Sequence, residues 1–171
     1  MAYYFLFPEK DATIYNHPDR LNLNTGHDEI LELVKEVGSS DTMHYPSRIL
    51  IKFPNSEIQS LIEDTIGSST FNNSTTKVYL ELTPIEPKNL TRILNIEVFP
   101  VSQSWDEGSG RFSNSPTSSN GVSWIVRDNS TNNTLWPTSS FGVAATGSIS
   151  SSVLTQGGGT WFTGSGFNAT Q

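Results

Sequence analysis

Asp106 and Glu107 stand side by side in VSQSWDEGSGRF (101–112), with Trp105 before them and Gly108 and Gly110 after. Paired carboxyl groups are the equipment of glycoside hydrolysis, which needs them about 5 to 10 Å apart across a sugar. Adjacent residues do not supply that spacing: on a strand they face opposite sides, and in a turn they diverge. Glu97, Glu81 and Asp64 are further carboxylates that nothing in the pattern brings together. Serine is abundant, but none sits in a nucleophile-elbow context. The expectation is a protein without catalytic residues, not an enzyme.

The three histidines, His17, His27 and His44, include no pair at the separation of a recognised metal motif. Asp11, Asp28 and Asp106 could meet calcium in loops, yet they lack the ordered ligand ladder of a calcium loop. Gly157, Gly158 and Gly159 have neither the helix nor the lysine of a phosphate cradle, and read as a flexible bend before Trp161. The absence of cysteine excludes disulfides, thiol nucleophiles and cysteine-ligated metal. No cofactor and no metal are expected. Ten Lys and Arg against 17 Asp and Glu leave a net charge of -7, which repels polyphosphates, so nucleic acid is not an expected partner. The apolar opening AYYFLF (2–7) is too short for a signal-peptide core or a membrane span. It reads as a first strand, or as a terminus that docks on a neighbour through Tyr3, Tyr4 and Phe5.

Trp105, Trp124, Trp136 and Trp161 could present planar faces to a sugar, which makes carbohydrate binding the alternative function. Tryptophan also anchors sandwich edges and protein interfaces.

The elements that would hold these residues are mainly strands. SRILIKF alternates with Ile49, Ile51 and Phe53 inward and Arg48 and Lys52 toward water. TKVYLEL does so with Val78, Leu80 and Leu82, and RILNIEVF with Leu94, Ile96 and Val98. A period of two with one wet face is the pattern of antiparallel strands packed on a second layer. GHDEILELVKEVG reads two ways, as a helix through Ile30, Leu33, Val34 and Val37 or as a strand through Leu31, Leu33 and Val37. The three short turns before Gly38 favour the strand. SEIQSLIEDTIG reads as a helix, with Ser56 and Gln59 as a capping box, a stripe of Ile58, Leu61, Ile62 and Ile66, and Gly67 as its stop.

At 171 residues, with 35% apolar and 16% charged side chains, one domain with an extension is expected. From Asn129 to Gln171 no residue is charged, while Trp136, Phe141, Trp161, Phe162 and Phe167 recur. A solvated tail carries charge and few aromatics. The division is therefore a β body at 1–128 and, at 129–171, an extended arm that drapes over its own body or a neighbour, with Trp136, Trp161, Phe162 and Phe167 as interface anchors.

The order of pieces resembles the DNRLRE-like family of β-sandwich domains. DATIYNHPDRLNLNTG matches its opening strand and Asn-x-Gly turn, RILIKFP a central strand, and Val101, Ser104, Trp105, Glu107, Gly108 and Pro116 its Trp-x-Glu-Gly corner. The family's later strands have no counterpart before GSGFNATQ, which implies either a longer native chain or strands donated by another copy. The Ser, Thr and Asn-rich C-terminal stretch is similar in style to structural proteins of tailed phages of marine cyanobacteria.

The resemblance implies an antiparallel, jelly-roll-like β-sandwich with one short helix, serving as a virion structural subunit in the neck, tail, baseplate or capsid periphery. Its partners would be other virion proteins and copies of itself, with no membrane involved. Trp105, Glu107 and Gly108 would form a structural corner, with Trp105 at the end of the core and Glu107 accepting N–H bonds from its own turn.

Overall fold

The computed structural model describes residues 3–37, 44–68, 71, 76–85, 96–130, 133–136 and 158–159. It divides into two units, one of residues 1–7 and 53–98, the other of residues 8–52 and 99–171.

The second unit holds all the strands found among the described residues. β1 is Lys10–Tyr15, β2 is Lys35–Val37, and β3, His44–Lys52, runs between them. Both pairings are antiparallel. A second antiparallel pair is formed by β4, Val126–Asp128, and β5, Thr134–Leu135, and Asn133, just before β5, takes a positive φ of 45°. Asparagine tolerates that left-handed conformation better than most residues.

β1 is built from Ala12, Thr13, Ile14 and Tyr15, all buried, so both of its faces are covered. Its register against β3 puts Ala12 opposite Leu50 and Ile14 opposite Arg48. Residues directly opposite share a face of the sheet, and this face meets Trp105, Val122, Trp124 and Trp136 in one core, with Leu21 and Val101 packed at its margin.

The expected orientation of β3 is therefore reversed. Leu50 and Arg48 point into the core, while Ile49, Ile51 and Phe53 are only half-buried. With a side-chain period of two, one residue decides the whole face. Here the decision comes from Trp124, whose ring lies 4.7 Å from the Arg48 guanidinium carbon and gives that charge a partner inside.

On the opposite face of β1 the contacts are polar. Thr25 Oγ1 accepts the Thr13 N–H at 3.1 Å and donates to the Thr13 carbonyl at 2.7 Å, taking the place of a neighbouring strand. Thr13 Oγ1 accepts the Glu32 N–H at 3.0 Å. Ser47 Oγ accepts the Val34 N–H at 2.8 Å and donates to the Glu32 carbonyl at 2.6 Å. Of the described residues of GHDEILELVKEVG only Lys35–Val37 are strand, and Ile30, Leu33 and Val37 are exposed. These side-chain bonds replace a regular ladder along the rest.

The first unit contains the helix that the sequence announces. Asn55–Ser60 is α-helical and continues as a wider π-helical stretch, Leu61–Ile66, which Gly67 ends at φ 85°. Pro54 occupies the N-cap and no side chain caps the helix, so the expected Ser56–Gln59 box is absent and Gln59 instead donates to Glu63 at 2.9 Å. TKVYLEL and residues 96–98 of RILNIEVF are not strands, and Val78, Leu80, Leu82, Ile96 and Val98 are exposed rather than inward. Leu94 lies outside the described residues. Alternation tells which face a strand would bury but does not provide the neighbour it must pair with.

Candidate structural corner

The corner at 101–112 is organised by a residue far away in sequence. Asn24 is fully buried, and its Nδ2 donates to the Glu107 carbonyl at 2.7 Å and to the Val122 carbonyl at 2.8 Å. Its Oδ1 accepts the Gly110 N–H at 2.7 Å and the Gly26 N–H at 3.3 Å. One amide thus ties the Asn-x-Gly turn, the corner and the approach to β4. Such a side chain uses both of its donors and both acceptor sites.

The backbones can come that close because glycines surround the amide. A β-carbon on Gly108, whose φ is 76°, would lie 2.1 Å from the Asn120 carbonyl oxygen, and one on Gly26 would lie 2.0 Å from the Glu107 carbonyl oxygen. Both positions are closed to any side chain.

Glu107 departs from its expected role. Its Oε1 accepts the Asp11 N–H of β1 at 2.9 Å, so it fastens the corner to the sheet edge instead of bracing its own turn. Asp11 lies beside that carboxylate, and burial first, then the negative Glu107, raises its carboxyl pKa. Asp106 works through its backbone, its N–H donating to Arg127 at 2.9 Å and its carbonyl accepting the Val122 N–H at 2.7 Å.

Trp105 is buried at the core, as the corner reading requires. Its carbonyl accepts the Lys10 ammonium, which also lies 4.4 Å from the indole centroid. Burial, and then Lys52 nearby, lower the Lys10 pKa. Beyond the corner, the Tyr15 hydroxyl donates to Glu32 at 2.7 Å, and its ring packs 5.5 Å from Phe112. Burial first, then the Glu32 hydrogen bond, hold that phenol far above the ordinary range.

Trp136 is a correction. Of the two courses open to the arm, over its own body or over a neighbour, this interface candidate takes the first: with 2% of its surface exposed and its Nε1 donating to the Ser123 carbonyl at 2.9 Å, it belongs to its own core. β5 and Trp136 also carry the body past the expected boundary at residue 128. Trp124, at 1% exposure, is equally enclosed, so neither ring offers a face on which a sugar could stack. Trp161, Phe162 and Phe167 lie outside the described residues. Tyr3, Tyr4 and Phe5 are exposed.

Gly158 and Gly159 are not a free bend. They are buried with φ of 80° and 93°, the Gly158 N–H donates to the Trp124 carbonyl at 2.5 Å, and the Gly158 carbonyl accepts the Arg48 guanidinium. Burial lowers the Arg48 pKa to about 10.

The remaining sequence candidates are dispersed. His17 Nδ1 accepts the Asp19 N–H at 3.3 Å, His27 and His44 are exposed, and no group of three metal-ligating side chains converges among the described residues. Among those residues no helix is long and apolar enough to cross a membrane.

Set against known protein families, curated proteins and solved structures, the chain matches none. What the chain is for must be argued from its own residues.

Two participants escape the sequence pattern: Asn24 enters it only through the Asn-x-Gly turn of the family resemblance, and Arg48 alternates toward water. A buried Asn has no periodic signature, because its partners are backbone groups scattered along the chain.

Proposed function

We propose that this chain is a structural assembly subunit, a β-sandwich body that contributes position and contact surface to a larger particle of virion type. The observation that carries this reading is the series of exposed apolar side chains in the unit of residues 1–7 and 53–98. The unit of residues 8–52 and 99–171 encloses Trp105, Trp124 and Trp136 around Ala12, Ile14 and Leu50. The unit of residues 1–7 and 53–98 leaves Phe5, Phe7, Val78, Tyr79, Ile85, Ile96 and Val98 exposed, with Val78 at 83% and Val98 at 63%. Apolar side chains gathered in one part of a chain mark contact surfaces. The alternating residues at 76–82 and 96–98 have the pattern of strands that complete a ladder against another chain. Partners are copies of itself and other structural proteins of the same particle, as the likeness to DNRLRE-like domains and to phage structural proteins suggests.

The test is direct. Mass spectrometry of purified particles should find the chain in fixed proportion to the other structural proteins, and sedimentation of the isolated chain should show concentration-dependent association. A chain absent from particles and monomeric at every concentration defeats the proposal.

A further inference from the structure

Asn120 and Gly121 form the only Asn-Gly pair in the chain. An asparagine followed by glycine modifies itself more readily than other asparagine pairs, because no side chain shields the next main-chain nitrogen or restrains its turning. The reaction needs only water. The Gly121 nitrogen bonds to Asn120 Cγ and gives its proton to solvent, the Cγ–Nδ2 bond breaks, and the amide nitrogen departs as ammonia. Water then opens the resulting imide ring at one of its two carbonyls. One opening leaves aspartate and the other isoaspartate, in which the main chain runs through the former side chain. Nothing is oxidised or reduced, and either product carries one more negative charge than asparagine.

Asn120 is exposed, so water reaches it, but its amide is turned onto the corner. Its Oδ1 accepts the Ser109 N–H at 2.9 Å, the Ser109 hydroxyl at 3.2 Å and the Ser118 hydroxyl at 3.5 Å, and its Nδ2 donates to Ser109 Oγ at 2.8 Å. Gly121 is buried and equally fixed. Its φ is 94°, and a β-carbon there would lie 2.4 Å from Gly108 Cα and 2.6 Å from the Gly108 nitrogen. On one side the Ser118 carbonyl accepts the Asn24 N–H at 2.9 Å, and on the other the Val122 N–H donates to the Asp106 carbonyl at 2.7 Å. Ring closure requires the amide to leave Ser109 and swing over the Gly121 nitrogen, with Gly121 turning against Gly108.

We propose that Asn120 is a self-modification site, held back by the Ser109 clasp and the Gly108–Gly121 contact and released when the corner opens. The isoaspartate product adds a main-chain carbon between residues 120 and 121, where Gly108 leaves no room for one, so a chain that has reacted this way does not close the corner again. The site thereby records openings of the corner. It is independent of the assembly reading.

The experiment holds the full-length protein in mildly alkaline buffer and follows the peptide containing residues 120 and 121 by mass, with chromatography separating aspartate from isoaspartate. Conversion in urea should be about tenfold faster or more than in the native protein, because a closed segment reacts only through its opening. A synthetic peptide of residues 116–124 in the same two buffers corrects for any effect of urea itself. Ser109→Ala removes the hydroxyl of the clasp and should speed native conversion severalfold, with the near-ultraviolet circular dichroism of the buried tryptophans unchanged, while Ser109→Thr should stay near the wild-type rate. Native protein that converts as fast as the peptide, or no conversion in urea, overturns the proposal. A folded Ser109→Ala that converts no faster than the wild type overturns the role of the clasp. The comparison of native protein with urea needs no variant, so it decides the proposal even if Ser109→Ala does not fold.

Discussion

Asn24 and Glu107 are bound to each other through the Asn24 amide, which donates to the Glu107 carbonyl at 2.7 Å, while the Glu107 carboxylate holds the Asp11 N–H at 2.9 Å. The corner is thus connected to the turn by one end of Glu107 and to β1 by the other. Replacing Asn24 by Ala strands two backbone carbonyls and the Gly110 N–H without partners in a buried site. Unsatisfied buried groups cost about 1–3 kcal/mol each before relaxation, so a loss of about 3 kcal/mol or more is expected in urea unfolding. Asn24→Asp keeps the acceptor but loses the donor, and should be no milder.

Gly108→Ala tests the close approach around that amide. The substitution meets both a positive φ of 76° and the Asn120 carbonyl at 2.1 Å. Backbone strain and overpacking each cost about 1–3 kcal/mol, and the denaturation midpoint should fall accordingly. Gly67→Ala, at the helix end with a positive φ of 85° and no such close approach among the described residues, should cost less.

These residues also show what the sequence could disclose. The helix at 55–66 was legible because its determinants are local, an apolar stripe and a glycine stop within one segment. At 105–110 the burial of Trp105 and the positive φ of Gly108 match residue types that the segment itself displays, a large aromatic and a glycine. The orientation of β3 was not legible, because Arg48 alone reads as a solvated charge and becomes an inward residue only when Trp124, 76 positions later, supplies its face. The strand expected at 76–82, and the described end, 96–99, of the one expected at 92–99, are not formed for a related reason: alternation is a property of a segment, whereas a ladder is a property of two. Asn24 carries three hydrogen bonds to groups brought together by the fold itself, beside the local one from Gly26, and no spacing rule encodes those three.

Trp105→Ala removes a large core side chain and the surface over which the Lys10 stem lies. A loss of about 3–5 kcal/mol is expected for a buried tryptophan, measurable as a lower urea midpoint. Trp105→Phe should recover part of it by refilling the cavity. If Trp105 were a ligand-stacking residue at the surface, neither change would shift the midpoint appreciably.

Tyr15 supplies a pH dependence. Its phenol pKa is raised by burial and then by Glu32, so the folded state binds this proton more tightly than the unfolded chain does. A raised group contributes its full stability below its unfolded pKa, about 10 for tyrosine, and that contribution is withdrawn as pH climbs past this value. Urea midpoints measured from neutral pH upward should decline more steeply for the wild type than for Tyr15→Phe once pH 10 is passed. At neutral pH the variant should be weaker by about 1 kcal/mol, the worth of a hydrogen bond to a partly solvated carboxylate. Equal slopes for the two proteins would show that Tyr15 is not the group responsible.

The exposed apolar residues of the first unit give the last prediction. Val78, Ile96 and Val98 are each more than half exposed and belong to alternating stretches. Within a single chain, replacing them with Thr removes little buried surface, so the triple variant Val78→Thr, Ile96→Thr, Val98→Thr should keep its urea midpoint within about 0.5 kcal/mol of the wild type, the usual range for surface changes. Association should respond differently. If these side chains are covered in the assembled particle, each contributes about 1 kcal/mol or more of apolar burial there, and weakening by about a hundredfold is expected from the three together. Sedimentation of the two proteins over a range of concentrations separates the outcomes. An unchanged monomer with lost association supports a contact surface in this unit, whereas a lost midpoint would mean that the three residues already pack within their own chain.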